Sequence, residues 1–241
     1  MRERPILFRG LMVRALLEGR KTQTRRIVKP QPVGGDRIHE SEDGWVVGRM
    51  RDSENAWGEL HCPYGVPGDR LWVRERWRIG AWDENEGRIA IDYADGPDKR
   101  WRSDQTDDDG EKFNRLWQGS CDELHRKRIL ADSNGQYHWK PGESPLRWRS
   151  GRFMPRWASR ITLEVTDVRV HRLQEISDED AIAEGLIEHG SGFLGFHGGP
   201  WQRHPEDAYS NLWDSINGPG SWASNPWVWA ITFRRIEGGA K

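Results

Sequence analysis

The sequence predicts an α+β fold, a small β-barrel with short flanking helices and a long insertion. Three observations carry that expectation: at least four β-patterned runs separated by short helical stretches, no βαβαβ rhythm, and no Gly-rich phosphate loop of the doubly wound kind. The chain is long enough for two domains, but a change of character at about 83–146 interrupts the strand pattern rather than following it. One decorated domain over 1–241 is therefore expected, with 83–146 as a variable acidic insertion.

The elements follow in order. PILF (5–8) reads as a short strand, and 9–18 as a helix because Leu11, Met12, Ala15 and Leu16 recur at helical spacing up to Gly19. KTQTRRIV (21–28) is rich in β-branched residues and is halted by Pro30 and Pro32. GWVVGRM is a possible strand, PYGVPGD a turn, and RLWVRERWRI a single strand with alternating faces that sets Glu75 between Trp72 and Trp77. Inside the insertion, RIAIDYA suggests a strand and EKFNRLWQGSCDELHRKRIL a helix. RITLEVTDVRVHRL is the longest β-patterned run, and Ser177 followed by Asp178, Glu179 and Asp180 caps a short helix ending at Gly185. Residues 188–205 read as a polar Gly/His-rich loop, PEDAYSNLWDSIN as a helix, and PWVWAITFRRI as the final strand.

Composition narrows the class. With 35% hydrophobic and 31% charged residues the chain leans toward disorder, but 15 Trp, 4 Tyr and 6 Phe supply burial units that disordered chains lack. Two cysteines, Cys62 and Cys121, cannot staple a chain of this length, and no CxxC pair suggests a zinc or redox site. There is no run of about 18 apolar residues, and the start MRERPILFRG lacks the apolar core of a secretory signal. A cytoplasmic protein without a membrane partner is expected. The Cys121/His125 pair lacks two further placed ligands, and His189, His197 and His204 read as polar loop residues, so no metal and no cofactor are expected.

The formal net charge of −1 hides a segregation. Residues 1–32 hold nine Lys/Arg against two Glu, 83–111 hold eleven Asp/Glu against four Lys/Arg, and 147–160 (RWRSGRFMPRWASR) hold five Arg and no acid. Basic segments with Trp148 and Trp157 interleaved suit phosphates and base faces, or are simply solvated surface charge.

The segment Gly19-Arg20-Lys21-Thr22-Gln23-Thr24-Arg25-Arg26 packs an amine, two hydroxyls and three guanidiniums behind a helix-ending glycine. A basic surface turn would look the same. In a pure strand Lys21 and Thr24 also point to opposite faces, so they converge only across a turn or bulge.

GRKTQTRR after a short amphipathic helix resembles the signature of the ASCH family, which is related to PUA domains and shares their small β-barrel. GDRLWVRE, ITLEVTDVRV, DAIAEGL and PWVWAITFRRI resemble its later strands and short helix in order, covering roughly half the chain, and MPRWASR and WDSINGPGSW are similar to the larger phage and prophage-encoded members. Some small bacterial members are amidohydrolases that remove the acyl group from N4-acetylcytidine with a Lys, a Thr and a Glu. The resemblance implies that Lys21, Thr24 and Glu184 are the catalytic residues here. Thr24 would attack the acyl carbon with Lys21, its pKa lowered by desolvation, as base and Glu184 as acid; water as nucleophile with Glu184 as base is the alternative assignment. Arg25 and Arg26 would hold a phosphate or polarise the carbonyl, and Glu75, Trp77 and Arg160 would complete a substrate-binding set. Glu75 is equally open to a buried ion pair with Arg25 or Arg26, Lys21 to one with Glu184, and Trp77 and Tyr64 to core or rim packing. The partner implied is a modified nucleoside or RNA, and because PUA relatives recognise RNA, a binding module without catalysis is the second reading.

Overall fold

The structure, a computed structural model, describes residues 1–32, 38–41, 44–47, 58–83, 88–103, 110–140 and 142–236. The chain divides into two compact units. One comprises Met1–Ile6, Leu11–Trp72 and Ile161–Lys241, and the other Leu7–Gly10 and Val73–Arg160. The stretch 83–146 thus lies inside a unit whose bounds are wider on both sides.

In chain order the elements are β1 (Glu3–Leu7), α1 (Gly10–Leu17), β2 (Gln23–Ile27), β3 (Ile38–Ser41), β4 (Gly44–Val47), β5 (Gly58–Leu60), β6 (Arg70–Arg74), β7 (Trp77–Asp83), β8 (Arg88–Tyr93), β9 (Gly96–Ser103) and α2 (Gly110–Arg126). They continue with β10 (Thr162–Arg172), α3 (Asp178–Ala183), β11 (Ile187–His189), β12 (Gly192–Leu194), β13 (Trp201–Gln202), α4 (Pro205–Asn217) and β14 (Trp227–Ile236). The fold is α+β.

The first unit is built on a five-stranded sheet in the order β1-β6-β10-β14-β2. Among the described residues this ladder is open, with β1 and β2 as its edges, where a closed barrel is expected from the sequence. Its spine is the antiparallel β10–β14 pair, in register from Thr162↔Ile236 to Arg172↔Trp227. A bulge between Val165 and Asp167 resets the side-chain parity, so that Leu163 and Val165 before it and Val168 and Val170 after it are all buried. Helix α1 buries Met12, Ala15 and Leu16 of the stripe its spacing predicts, together with Val13, while Leu11 is only half-buried, and β14 adds Trp229, Ile231 and Phe233 to the buried set.

In the second unit β7, β8 and β9 form an antiparallel sheet over a core of Trp77, Ile79, Ile89, Ile91, Leu124 and Met154. RLWVRERWRI is therefore two strands and not one. Residues 70–74 pair with β10, whereas 77–83 pair with β8, and the side chain of Glu75 at the break is buried against Arg160. A second difference lies at 187–202, where the predicted loop is a three-stranded sheet β11-β12-β13. Strands of two or three residues are too short to leave a periodicity. The possible strand GWVVGRM is realised over Gly44–Val47 as β4, and its last three residues lie outside the described residues.

Candidate functional site

Lys21 is placed by two helix ends. Helix α1 closes with Gly19 at φ +77°, and the returning chain donates the Lys21 N–H to the Ala15 carbonyl at 3.1 Å and the Thr22 N–H to the Ala183 carbonyl at 2.8 Å. This seats Lys21 in a bridge with Glu184, the residue that caps the C-terminus of α3. Gly185, at φ +96°, makes the close approach possible, because a Cβ there would lie 2.9 Å from the Ala15 Cβ and 3.0 Å from the Lys21 Cβ. Gly185→Ala is expected to destabilise the chain by about 2 kcal/mol or more, through positive-φ strain and overpacking, which urea unfolding would measure.

From Lys21 the alternation of β2 decides which side chains meet. Lys21, Gln23 and Arg25 share one face and converge on α3. Lys21 Nζ donates to Glu184 Oε2 at 2.7 Å, to the Glu184 carbonyl at 2.8 Å and to the Gln23 carbonyl at 2.7 Å. Arg25 donates to Glu184 Oε1 at 3.2 Å, to Gln23 Oε1 at 2.6 Å and to Asp180 Oδ2 at 2.7 Å. Asp180 also accepts from Gln23 Nε2 at 3.0 Å and from Arg169 at 2.9 Å. Lys21 and Glu184 are each 3% exposed, and Tyr209 of α4 is buried beside them with its hydroxyl donating to Glu184.

Electrostatics follow from this burial. Desolvation pushes the Lys21 ammonium below the ordinary lysine value, against the pull of the Glu184 carboxylate. Burial and the Glu184 charge together push the Tyr209 hydroxyl well above its ordinary value. For Asp180, burial raises the carboxyl, but the hydrogen bonds from Gln23 and Arg169 and the charge of Arg25 outweigh it and leave it below the usual range. A carboxylate depressed in the folded state contributes stability above its unfolded pKa of about 3.9 and loses it as the pH falls through the lower folded value. The stability gap between wild type and Asp180→Asn is therefore expected to be constant at neutral pH and to close below about pH 4, as thermal unfolding across a pH series would show.

Thr24 lies on the other face of β2, in register with Ile231, and Arg26 shares that face, in register with Trp229. The structure thus brings Lys21, Arg25 and Glu184 together and points Thr24 and Arg26 away from them. Glu75, Trp77 and Arg160 belong to the second unit. There Arg160, and not Arg25 or Arg26, holds Glu75 with two bonds of 2.9 Å, donates to the Asp95 carbonyl at 3.0 Å, and lies 4.2 Å above the Tyr93 ring. Trp77 is a core residue, edge-on to Trp157 at 6.3 Å.

Gln23, Asp180, Arg169 and Tyr209 are members of the network that the sequence reading misses. Two of them carry a signal: Gln23 is two residues from Lys21 on a strand, and Asp180 is four residues from Glu184 at the end of a helix, so each shares a face with its neighbour. Tyr209 carries none. Among the described residues no group of three or more His, Cys, Asp or Glu is placed to hold a metal, and no helix is long and apolar enough to cross a membrane. His125 instead meets the Tyr137 hydroxyl at 3.0 Å. No protein-family model, no curated protein and no solved structure matches this chain.

Proposed function

We propose that the chain is a metal-independent amidohydrolase that removes an acyl group from N4-acylated cytidine or a related modified nucleoside. The observation that carries this reading is the buried Lys21–Glu184 pair, at 2.7 Å and with the ammonium pushed down by desolvation, which is a proton donor and acceptor at transfer distance. The GRKTQTRR segment at the α1–β2 junction and the strand order around it support reading the first unit as an ASCH, PUA-related domain.

Because Thr24 faces away from the pair, water is the nucleophile that fits best. Glu184 takes the proton of a water attacking the acyl carbon, the C–N4 bond breaks as the tetrahedral intermediate collapses, and the Lys21 ammonium protonates the departing N4. The proton on Glu184 then returns to Lys21 Nζ across their contact. Arg25, donating to the same carboxylate, orients it. At 3% exposure the pair meets substrate only in an opened state.

A second reading, recognition of RNA or modified nucleic acid without catalysis, is favoured by the saturation of Lys21, whose three donors all have acceptors. Ultraviolet-monitored hydrolysis of N4-acetylcytidine separates the two. Wild type is expected to turn over, Lys21→Met and Glu184→Gln to lose activity while circular dichroism still reports a fold, and Thr24→Val to stay within about threefold. Loss in Thr24→Val would return the nucleophile to that hydroxyl, and no turnover on a panel of acylated cytidines would overturn the amidohydrolase reading.

A further inference from the structure

The second unit contains a cleft of about 570 Å³ lined by residues of that unit alone. Three aromatic side chains, Trp77, Trp148 and Phe153, and three guanidiniums, Arg115, Arg147 and Arg149, line it, and no carboxylate is among its lining residues. Its volume lies in the range of small-ligand pockets.

The aromatic wall is fixed on one side and open on the other. Two guanidiniums lie against the Trp148 ring, Arg78 at 4.4 Å and Arg76 at 5.5 Å, and Arg78 is itself held by Asp92 at 3.1 Å and by the Ser144 carbonyl at 2.7 Å, so the indole is a positioned plate. Phe153, by contrast, is 76% exposed, so its ring is accessible to a ligand.

The polar side of the cleft is dominated by donors, with the Ser150 hydroxyl beside them. Arg149 Nε and Trp77 Nε1 are buried donors with no hydrogen-bond partner among the described residues. Burial, and then the adjacent Arg147 charge, press the Arg149 guanidinium below its ordinary value, although Glu123 opposes them. The nearby carboxylates are engaged at the margins: Glu111 with Arg115 at 2.7 Å, and Glu123 with Lys127 at 2.8 Å and more distantly with Arg147 at 3.7 Å. A cleft rich in guanidinium donors with a flat aromatic wall is complementary to an anion that carries an aromatic plane.

We infer that this cleft binds a nucleotide, its base against Trp148 and Phe153 and its phosphate on Arg147 and Arg149. The ligand is a free mononucleotide or one nucleotide of a single strand; both present the same base and phosphate. Such binding does not depend on the hydrolysis proposed for the first unit.

Isothermal titration of the full chain with adenosine 5′-monophosphate, adenosine, inorganic phosphate and a short oligoadenylate tests it. The mononucleotide is expected to bind at least about tenfold more tightly than adenosine or phosphate alone, because only it fills both halves of the site. Arg147→Glu and Arg115→Glu, whose side chains are 71% and 76% exposed and so report charge rather than folding, are each expected to weaken it by about tenfold. Lys21→Met is expected to leave it unchanged. Oligoadenylate that competes with the mononucleotide and binds more tightly identifies a strand as the ligand, and oligoadenylate that fails to compete identifies the free nucleotide. Equal affinity for adenosine and its monophosphate, indifference to both charge reversals, or no binding by any probe would overturn the inference.

Discussion

Glu184→Gln is expected to destabilise the folded chain by about 3–5 kcal/mol, because it leaves a desolvated ammonium without its anion. Lys21 keeps two carbonyl acceptors, from Gln23 and Glu184 itself, but neither offsets a full charge in a site that is 3% exposed. The variant has one escape, which is to release the lysine proton, since desolvation already holds that group below its ordinary value. A lysine whose folded pKa lies below its unfolded pKa of about 10.4 binds fewer protons folded than unfolded in the window between the two. Stability therefore rises with pH across that window. Relative to wild type, Glu184→Gln is expected to recover part of its loss between neutral pH and about pH 10.

The double variant Lys21→Met, Glu184→Leu removes both charges and is expected to cost less than the sum of its singles, with a coupling of about 1–3 kcal/mol in urea unfolding. The residual loss is assigned to Arg25 and Tyr209, which also face Glu184. Arg25 retains Gln23 and Asp180 after the change, so the loss is bounded. Strict additivity would mean that the two residues act through other partners.

How much of this was legible in the sequence depends on the range of the interaction. That β10 and β14 are strands was, because both runs are long, β-branched and aromatic, whereas their pairing and the bulge that carries the buried parity from Leu163 and Val165 to Val168 and Val170 came only with the structure. The Ser177 cap was, since its oxygen accepts the Asp180 N–H as the local rule requires. The meeting of Lys21 with Glu184 was reached only through the family resemblance, because 163 residues separate them and no local rule spans that distance. The face of Thr24 was legible from period-two alternation alone, against the pull of the motif. The break at Glu75 was not. Leu71, Val73, Trp77 and Ile79 keep one period-two phase on either side of it, so the three consecutive charges Arg74-Glu75-Arg76 read as a polar interruption of a single strand, and the partner that buries Glu75 is an arginine 85 residues away.

That arginine carries the second large effect. Arg160→Met is expected to cost about 3–5 kcal/mol and Arg160→Lys somewhat less, since lysine keeps the charge but not the fork that meets both Glu75 oxygens. Both side chains are essentially excluded from solvent, and the guanidinium also satisfies the Asp95 carbonyl and covers the Tyr93 ring. The surroundings leave no room for relaxation: at Gly151 a Cβ would come within 2.8 Å of the Glu75 carbonyl carbon, and the Glu75 N–H is directed at Met154 Sδ at 3.4 Å. Glu75 stands just inside the point where the chain enters the second unit and Arg160 is the last residue before it leaves, so the pair closes the unit on itself. Loss of the pair should therefore expose β7 and β8 to hydrogen exchange while amides of β10 and β14 keep their protection. A carboxylate that reads a ligand behaves otherwise. If Glu75 contacted substrate, Glu75→Gln would raise KM at unchanged stability; the bidentate, buried geometry leads to the opposite result, a destabilised variant whose folded fraction has an unaltered KM.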